Sequence, residues 1–229
     1  MTTIADRLAD VRTQIAAAAA RCGRPSPSVA LLAVSKTHPA SAVRAAHAAG
    51  QRAFGENRVQ ELAAKAHELA DLPDVRWHLI GSLQTNKVRD LLAVPNLELV
   101  HSLDRMSLAD ELQRQLARTG RRLGVLLQAN VTGEASKHGV APAEAMTLLD
   151  KVLHDTPLLA VQGVMAMGPL DGDPAPAFAA AAALRDRLRA TSGLPLPVLS
   201  LGMSGDLDAA IAAGSTLVRI GTAVFGARG

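Results

Sequence analysis

The stretch Leu31-Leu32-Ala33-Val34-Ser35-Lys36-Thr37-His38-Pro39 decides the fold class. Its apolar run has the length of a buried strand, and the proline marks a turn into the alanine-rich segment that follows. The stretch therefore predicts a strand joined directly to a helix. It also places Lys36 where the carboxyl end of a strand meets a loop.

The same pattern recurs along all 229 residues. Eight short runs predict strands: Val29 to Val34, Arg52 to Phe54, Arg76 to Ile80, Leu97 to Val100, Gly124 to Asn130, Leu159 to Val164, Pro197 to Leu201 and Leu217 to Ile220. Alanine- and leucine-rich segments predict the helices between them: Pro39 to Ala49, Asn57 to Ala70, Leu103 to Arg118, Pro142 to Leu153, Pro174 to Ala190 and Gly205 to Ala213. A further helix, Ile4 to Cys22, precedes the first strand.

Strands that alternate with helices favour parallel pairing, and eight such units favour an α/β fold with a single closed (β/α)8 barrel of the TIM type. The alternative is an open doubly wound sheet, which needs an early glycine-rich phosphate turn. Neither GxGxxG nor GxxxxGK[ST] follows the first strand. We expect residues 1–229 to form one barrel domain, with helix 1–22 packed on it. The proline- and glycine-rich segment from Met165 to Pro176 predicts a loop over the barrel mouth.

Composition argues against several classes of protein. The single cysteine, Cys22, cannot form an internal disulfide or build a zinc site, and the N-terminus carries no leader pattern. No apolar run approaches the roughly 20 residues of a membrane span. We therefore expect a cytoplasmic protein without a membrane partner. A net charge of +3 and a 2% aromatic content argue against nucleic-acid binding.

Most of the histidines show no spacing typical of a metal site, so we expect no bound metal. We place these histidines at the surface or as capping residues: His38, His47, His67, His101, His138 and His154.

Lys36 is the leading candidate for a reactive side chain. The sequence holds five lysines against nineteen arginines, and the other lysines fall in segments that indicate helix surfaces or loops: Lys65, Lys87, Lys137 and Lys151. Arginine cannot replace a lysine that must lose its proton to attack a carbonyl. The pattern therefore favours Schiff-base chemistry at Lys36, with a solvated lysine at a strand end as the alternative.

The last two predicted strands lead into loops suited to phosphate. Leu199-Ser200-Leu201-Gly202-Met203-Ser204-Gly205-Asp206 carries hydroxyls and glycines into a helix, and Val218-Arg219-Ile220-Gly221-Thr222 combines glycine with a hydroxyl. Ordinary helix capping by Ser204 is the alternative for the first loop. We expect these loops to face Lys36 across the mouth. Pyridoxal phosphate needs both features, an amine for its aldehyde and a cradle for its phosphate.

Six stretches occur in this order along the chain: Ala33-Val34-Ser35-Lys36-Thr37, Phe54-Gly55-Glu56-Asn57-Arg58-Val59-Gln60-Glu61, Trp77-His78-Leu79-Ile80-Gly81-Ser82-Leu83-Gln84-Thr85-Asn86-Lys87, Gly163-Val164-Met165-Ala166-Met167, Leu199-Ser200-Leu201-Gly202-Met203-Ser204 and Arg219-Ile220-Gly221-Thr222-Ala223-Val224-Phe225-Gly226. Together they resemble the pyridoxal phosphate homeostasis protein family. The resemblance implies a fold-type III barrel related to the N-terminal domain of alanine racemase.

The resemblance implies a role for each matching residue. Lys36 would carry pyridoxal phosphate covalently, and Arg219 would face the pyridine nitrogen. The other implied cofactor-binding positions form a phosphate site and a pocket lining: Ser200, Ser204, Gly221 and Thr222 for the phosphate, and Asn57, His78, Met165 and Met203 for the lining.

Several of these positions also have local alternatives. Asn57 is equally suited to cap the following helix, His78 to be a strand-end histidine bonded to backbone, and Met165 to fill the core. Arg58 stands where the family often has tyrosine, and Ser82 and Thr85 stand where it often has proline and serine. These departures affect contacts at the rim.

The resemblance implies a protein that holds pyridoxal phosphate as a Schiff base on Lys36 and takes part in its intracellular homeostasis, with little or no catalysis. A racemase needs a second acid-base group opposite the lysine, a tyrosine in alanine racemases, and this sequence has no tyrosine. We also expect no second domain after the barrel. A permanently charged Arg219 disfavours the ring-nitrogen proton that makes pyridoxal phosphate a strong electron sink. We therefore assign no catalytic residue.

Three other functions stay open at this stage. The first is an amino-acid racemase of the alanine racemase type that uses His78 or water as its second acid-base group. The second is a Schiff-base aldolase acting on sugar phosphates, and the third is a scaffold with a vestigial pocket. Pyridoxal-phosphate-dependent apoenzymes are the expected recipients of the cofactor. We expect a monomer, because the racemase relatives dimerise partly through the domain not expected here.

Overall fold

The computed structural model describes residues 2–134 and 137–227. Eight parallel strands close into a barrel in chain order, so the predicted (β/α)8 fold is confirmed and the open sheet is wrong. The strands are β1 (Ala30–Val34), β2 (Ala53–Glu56), β3 (Arg76–Leu79), β4 (Leu97–Leu103), β5 (Leu123–Ala129), β6 (Leu159–Ala166), β7 (Val198–Ser200) and β8 (Leu217–Ile220).

Helices separate the strands and form the outer layer. They are α1 (Ile4–Arg21), α2 (Ala40–Ala48), α3 (Val59–Glu68), α4 (Val88–Leu92), α5 (Met106–Leu116), α6 (Ala145–Asp155), α7 (Ala175–Ser192), α8 (Leu207–Ala212) and α9 (Thr222–Phe225). The sequence did not predict α4 and α9, which are too short to show a helical period. No helix within the described residues is long and apolar enough to span a bilayer.

Two predicted boundaries need correction. β4 continues to Leu103 because that residue pairs with Leu127 of β5, so α5 begins at Met106 and not at Leu103. β6 includes Met165 and Ala166, which pair with neighbouring strands, so the loop predicted from Met165 shortens to residues 167–174.

Helix α1 packs on the outside of the barrel, next to α2, α8 and α9. A capping box joins Thr3 and Asp6 at its start, and its buried face includes Leu8 and Val11. Its Arg7 Nε donates to the Val224 carbonyl oxygen at 2.8 Å, which ties the first helix to the last one. The extra N-terminal helix therefore supports the segment that follows β8.

The barrel interior combines apolar and polar layers. Small groups of apolar side chains fill part of it: Leu32, Ala53 and Leu217 in one group, and Leu99, Leu126 and Met165 in another. Gly163 lets β6 approach β7 closely, because a Cβ there would lie 1.7 Å from the Val198 carbonyl oxygen. The polar residues between these groups belong to the site described next.

Candidate functional site

Lys36 lies two residues beyond the end of β1, at the carboxyl end of the barrel. The Ser35 amide donates to the Gly55 carbonyl oxygen at 3.0 Å, which continues the sheet pairing up to the lysine. The Lys36 side chain is half-buried, and within residues 2–134 and 137–227 it has no hydrogen-bonding or ion-pairing partner. Its amine is therefore available to a ligand at the mouth.

Beneath Lys36 lies a cluster of charged side chains that the sequence analysis missed. Lys65 is buried, which corrects its predicted place on a helix surface. Its ammonium donates to the Ser35 carbonyl oxygen at 2.7 Å, to Glu56 Oε1 at 2.6 Å and to Glu61 Oε1 at 2.8 Å. Glu61 also accepts from the Thr37 amide. The cluster thus holds the residues on both sides of Lys36.

The pKa values of the two carboxylates in this cluster shift in opposite directions. Burial raises the pKa of Glu56, and hydrogen bonds from Lys65 and Ser35 oppose that rise only in part. Burial also acts to raise the pKa of Glu61, but hydrogen bonds from Lys65 and the Thr37 amide outweigh it, so this pKa is lowered. Oε2 of Glu56 is buried without a hydrogen-bond partner in the described part of the chain. Lys65 is therefore the main group that stabilises the buried carboxylate of Glu56.

Barrel closure brings the predicted phosphate loops to Lys36. β1 pairs with β8, with Ala33 opposite Ile220. The next residue, Gly221, lies so near Val34 that a Cβ there would be 3.1 Å from the Val34 carbonyl oxygen. The expectation that the loops lie across the mouth is wrong for this loop, because it is the direct neighbour of the lysine segment.

The loops after β7 and β8 offer unpaired backbone donors. The amides of Ser204, Gly205, Thr222 and Ala223 have no acceptor among the residues that the structure describes. The Arg219 amide donates to the Gly202 carbonyl oxygen at 3.0 Å and so joins the two loops. Such a set of amides, with two nearby hydroxyls, has the chemistry that binds a phosphate dianion.

Ser204 does not cap the helix that follows, as its alternative role required. α8 begins at Leu207, and its N-cap residue, Asp206, makes no side-chain capping bond within the described part of the chain. Asp206 instead accepts from the Met203 amide at 2.5 Å, which shapes the loop. The Ser204 hydroxyl is left exposed at the rim.

Arg219 is buried at the floor of the mouth. Its Nη1 donates to the Ser200 carbonyl oxygen at 2.7 Å and to Ser200 Oγ at 2.8 Å, and its Nη2 donates to the Ala166 carbonyl oxygen at 3.1 Å. Burial lowers its pKa to about 10, opposed by Asp206, so the guanidinium stays charged at neutral pH. Two of its five N–H groups have no acceptor within the described residues and are free for a ligand.

The remaining predicted residues are spread over different depths. Asn57 is exposed after β2, and its carbonyl oxygen would lie 2.1 Å from a Cβ on Gly81, so the backbone there is closely packed. Met203 is exposed in the loop after β7, whereas Met165 is buried in the barrel interior. The structure thus places Asn57 and Met203 at the rim and Met165 below it.

His78 lies deep in the barrel, away from the rim. It is buried, and its Nδ1 is 3.0 Å from Nε2 of His101 while its Nε2 is 2.8 Å from Oε2 of Glu98. It borders a cavity whose lining includes the first residues of several strands, such as Ala30, Arg76 and Leu217. The partners of His78 are side chains and not backbone groups, so the alternative prediction of a strand-end histidine bonded to backbone is wrong.

His101 corrects the prediction that it lies at the surface. It is fully buried on β4, and its Nδ1 is 3.2 Å from Oγ of Ser200. Polar residues interrupt β4 at Glu98, His101 and Ser102, and the buried pair His101 and Ser102 was a signal for a polar interior. Among the residues described, no group of histidine, cysteine or carboxylate side chains could hold a metal ion.

Comparisons with known proteins agree with this geometry. The family model for the alanine racemase N-terminal domain matches residues 7–229. A pyridoxal phosphate homeostasis protein of Pseudomonas aeruginosa is 49% identical over 228 residues, which cover 100% of this chain and 97% of that protein.

Solved structures give the same result. PipY of Synechococcus elongatus with pyridoxal phosphate bound is 41% identical, has a TM-score of 0.85 and is matched over 98% of this chain and 100% of that one. Alanine racemase of Corynebacterium glutamicum, at 17% identity and a TM-score of 0.71, shares the fold over 95% of this chain and 60% of that one. The chain therefore belongs to the family of the alanine racemase N-terminal domain and, within it, to the pyridoxal phosphate homeostasis proteins.

Proposed function

We propose that this protein binds pyridoxal phosphate covalently through Lys36 and serves as a carrier that takes part in its homeostasis. The pairing of β1 with β8 is the observation that carries the proposal. It places the Lys36 amine, which has no partner among the described residues, beside the loop after β8, whose Thr222 and Ala223 amides also have no acceptor there. Few ligands need an amine and an anion site at adjacent strand ends, and pyridoxal phosphate is one of them.

The residues at the mouth fit the chemical groups of this cofactor. The amides and hydroxyls of the loops after β7 and β8 suit its phosphate, with Ser204 and Thr222 supplying the hydroxyls and Gly221 the close backbone approach. The free N–H groups of Arg219 suit the ring nitrogen. Ser200 acts behind Arg219 as its hydrogen-bond acceptor. Asn57 and Met203 line the rim, and Met165 lies beneath.

The charge on Arg219 supports a carrier over an enzyme that needs a strong electron sink, such as a transaminase, and does not by itself argue against a racemase. When bound, pyridoxal phosphate supplies an aldehyde for the lysine amine and a ring that withdraws electrons best when its nitrogen is protonated. A guanidinium donates to that nitrogen and disfavours its protonation. His78 lies below the mouth with both ring nitrogens engaged, so it is poorly placed as the second acid-base group of a racemase.

The names of the relatives support the wider role. The Pseudomonas aeruginosa relative is called a pyridoxal phosphate homeostasis protein, and PipY binds pyridoxal phosphate in its solved structure. We propose that this chain likewise passes the cofactor to apoenzymes that depend on it. We further propose that it acts as a single-domain monomer in the cytoplasm, where the exposed thiol of Cys22 would stay reduced.

The visible absorbance spectrum tests the proposal. Wild-type protein, Lys36→Ala and the control Lys151→Ala, an exposed lysine on α6, are each mixed with pyridoxal phosphate and freed of excess. We expect the band of lysine-bound cofactor in the wild type and the control and no such band in Lys36→Ala. No band in any protein would overturn the proposed ligand. A Lys36-dependent, multiple-turnover loss of α-deuterium from amino acids would replace the carrier with a racemase.

A further inference from the structure

A chain of hydrogen bonds crosses the barrel interior from the mouth towards the opposite end. Arg219 Nη1 donates to Ser200 Oγ at 2.8 Å, and Ser200 Oγ lies 3.2 Å from His101 Nδ1. His101 Nε2 lies 3.0 Å from His78 Nδ1, and His78 Nε2 lies 2.8 Å from Glu98 Oε2. We call these five residues the interior chain. Each bond shares a residue with the next one, so the interior chain is continuous.

The two ends of the interior chain meet different surroundings. Arg219 and Ser200 are buried behind the mouth. Glu98 is exposed and borders a cavity of about 590 Å³, lined by the amino ends of the strands. The interior chain therefore connects the floor of the mouth with solvent at the other end of the barrel.

The chemistry of its two ends determines the direction of every hydrogen in the interior chain. A guanidinium only donates and a carboxylate only accepts. Ser200 therefore accepts from Arg219 and can donate to His101 Nδ1. His101 then carries its hydrogen on Nε2 and donates to His78, which in turn donates from its own Nε2 to Glu98. Both imidazoles are neutral in this arrangement.

The surroundings of His101 agree with a neutral ring. Burial lowers its pKa well below the usual value, and the neighbouring His78 and Arg219 lower it further. His78 faces more varied groups: Glu98 and His101 from β4 and, around the cavity, the Arg76 and Gln162 side chains. Arg76 Nη1 is 3.5 Å from Glu98 Oε1, so it contacts the carboxylate oxygen that His78 does not use.

Protonation of His78 would reverse the direction of the hydrogen bonds that join His78, His101 and Ser200. A charged His78 donates from both nitrogens, so its Nδ1 must face an acceptor on His101. His101 would then carry its hydrogen on Nδ1 and donate to Ser200 Oγ. That hydroxyl would accept from both His101 and Arg219, and its own hydrogen would lose its present acceptor. A proton added at His78, near the exposed Glu98 end of the interior chain, would thus alter the contact between Ser200 and Arg219 at the mouth.

We propose that His101 and His78 are positioning residues, which hold the Ser200 hydroxyl and through it the Arg219 guanidinium in the orientation that binds the cofactor's ring nitrogen. This inference rests on the proposed function, because it assigns Arg219 to that nitrogen. Glu98 keeps the interior chain in one direction from the opposite end of the barrel. Occupancy of the mouth therefore depends on the hydrogen positions of two histidines that the cofactor does not touch.

The direction of the hydrogen bonds in the interior chain can be tested first, without any cofactor. Nitrogen-15 NMR of the histidine side chains in the apoprotein distinguishes the two neutral tautomers from the charged ring. We expect His101 to carry its hydrogen on Nε2 at alkaline pH and to move it to Nδ1 when His78 becomes charged. A hydrogen on Nδ1 of His101 at alkaline pH would overturn the assigned direction.

Cofactor affinity between about pH 6 and pH 9 tests the positioning role. We compare wild type with His78→Gln, whose amide offers a donor and an acceptor but does not titrate, and with Glu98→Gln at the exposed end. Glu68→Gln on the surface of α3 is the matched control. We expect Glu98→Gln to weaken pyridoxal phosphate binding by up to about tenfold, because an amide donates as well as accepts and no longer fixes the direction of the interior chain. His78→Gln should keep the alkaline affinity and show a shallower fall towards acid pH than the wild type, since protonation of the Lys36 amine weakens covalent binding in every variant.

The outcomes separate the two proposals. Affinities and pH profiles of Glu98→Gln and His78→Gln that superimpose on those of the wild type would overturn the positioning role and leave the carrier function intact. A wild type that forms no covalent complex would overturn the proposed function, whereas the tautomers measured in the apoprotein would still report the direction of the interior chain.

Discussion

The rim of the barrel mouth and the layer beneath it use the same kinds of side chain in opposite ways. Lys36 at the rim has no partner among the described residues, whereas Lys65 beneath it donates to three acceptors. Ser204 at the rim is exposed, whereas Ser200 beneath it is bonded to Arg219 and lies within reach of His101. Residue type and sequence spacing alone do not distinguish the two members of either pair.

We expect this difference to separate residues that serve binding from residues that serve stability. Burying a polar group without a partner costs free energy, so groups in the lower layer are paired with one another. A group at the rim can stay unpaired because water satisfies it until a ligand arrives. Substitutions in the lower layer should therefore lower the free energy of unfolding, while the same substitutions at the rim should lower ligand affinity alone.

The two lysines provide the strongest test of this contrast. Lys65→Met leaves the carboxylate of Glu56 buried without its cation, and we expect the free energy of unfolding to fall by about 3–5 kcal/mol. Lys36→Met should change it by less than about 0.5 kcal/mol while abolishing covalent binding of pyridoxal phosphate. Urea denaturation of both variants measures the difference. Equal losses of stability would contradict the division between rim and lower layer.

The glycine of the rim loop after β7 is expected to have the next effect. Gly202 has φ +88°, and a Cβ there would lie 2.5 Å from the Cβ of Ala210. We expect Gly202→Ala to lower the free energy of unfolding by about 2–3 kcal/mol. Gly205→Ala is the control, because among the described residues other than its chain neighbours no heavy atom lies within 4 Å of its Cβ position. Thermal unfolding of the two variants at the same midpoint would show that this loop is not packed against α8.

The two serines should show the same contrast on a smaller scale. Ser200→Ala removes one of the three acceptors of Arg219 and the partner of His101, and we expect a loss of about 1–2 kcal/mol in the free energy of unfolding. Ser204→Ala should stay within about 0.5 kcal/mol of the wild type but bind inorganic phosphate and pyridoxal phosphate more weakly. A stable Ser200→Ala with unchanged affinity would show that the interior chain does not hold Arg219.

The smallest expected effect is a change in acid stability. The hydrogen bond from His78 lowers the pKa of Glu98 below its usual 4.5, so this carboxylate contributes stability above that value and loses it as the pH falls through the lowered pKa. Glu98→Gln should therefore flatten the acid side of the stability profile. Denaturation midpoints measured between about pH 3 and pH 6 would show it. An unchanged acid slope would mean that Glu98 does not interact with His78 in solution.

The fold was predictable because its signals are local. All eight strands lie where short, largely apolar runs predicted them, since strands buried on both faces show little alternation of polar and apolar residues. The short helices α4 and α9 were missed because five and four residues are too few to establish a helical period. The end of β4 was misplaced because pairing with β5, a distant contact, keeps residues as far as Leu103 in the strand.

The site was predictable only in part. Lys36 and the glycine- and serine-rich loops stand out because strand ends and turn residues are visible in a single sequence. Lys65 and His101 did not stand out, because their burial depends on partners from other strands and helices. The assignment of Arg219 to the mouth came from family resemblance, and its hydrogen bonds to Ser200 and Ala166 became known only from the fold.

The amino-acid order alone determined the repeated strand-helix units, the lysine at the end of the first strand and the loops after the last two. Those features depend on interactions between residues close in the chain, namely hydrophobic periodicity and turn geometry. Closure of the barrel decided which ends meet, bringing β1 beside β8 and His101 beside Ser200, 99 residues apart. Long-range pairing determines such contacts, because burial forces each interior polar group to find whichever partner the closed barrel places next to it.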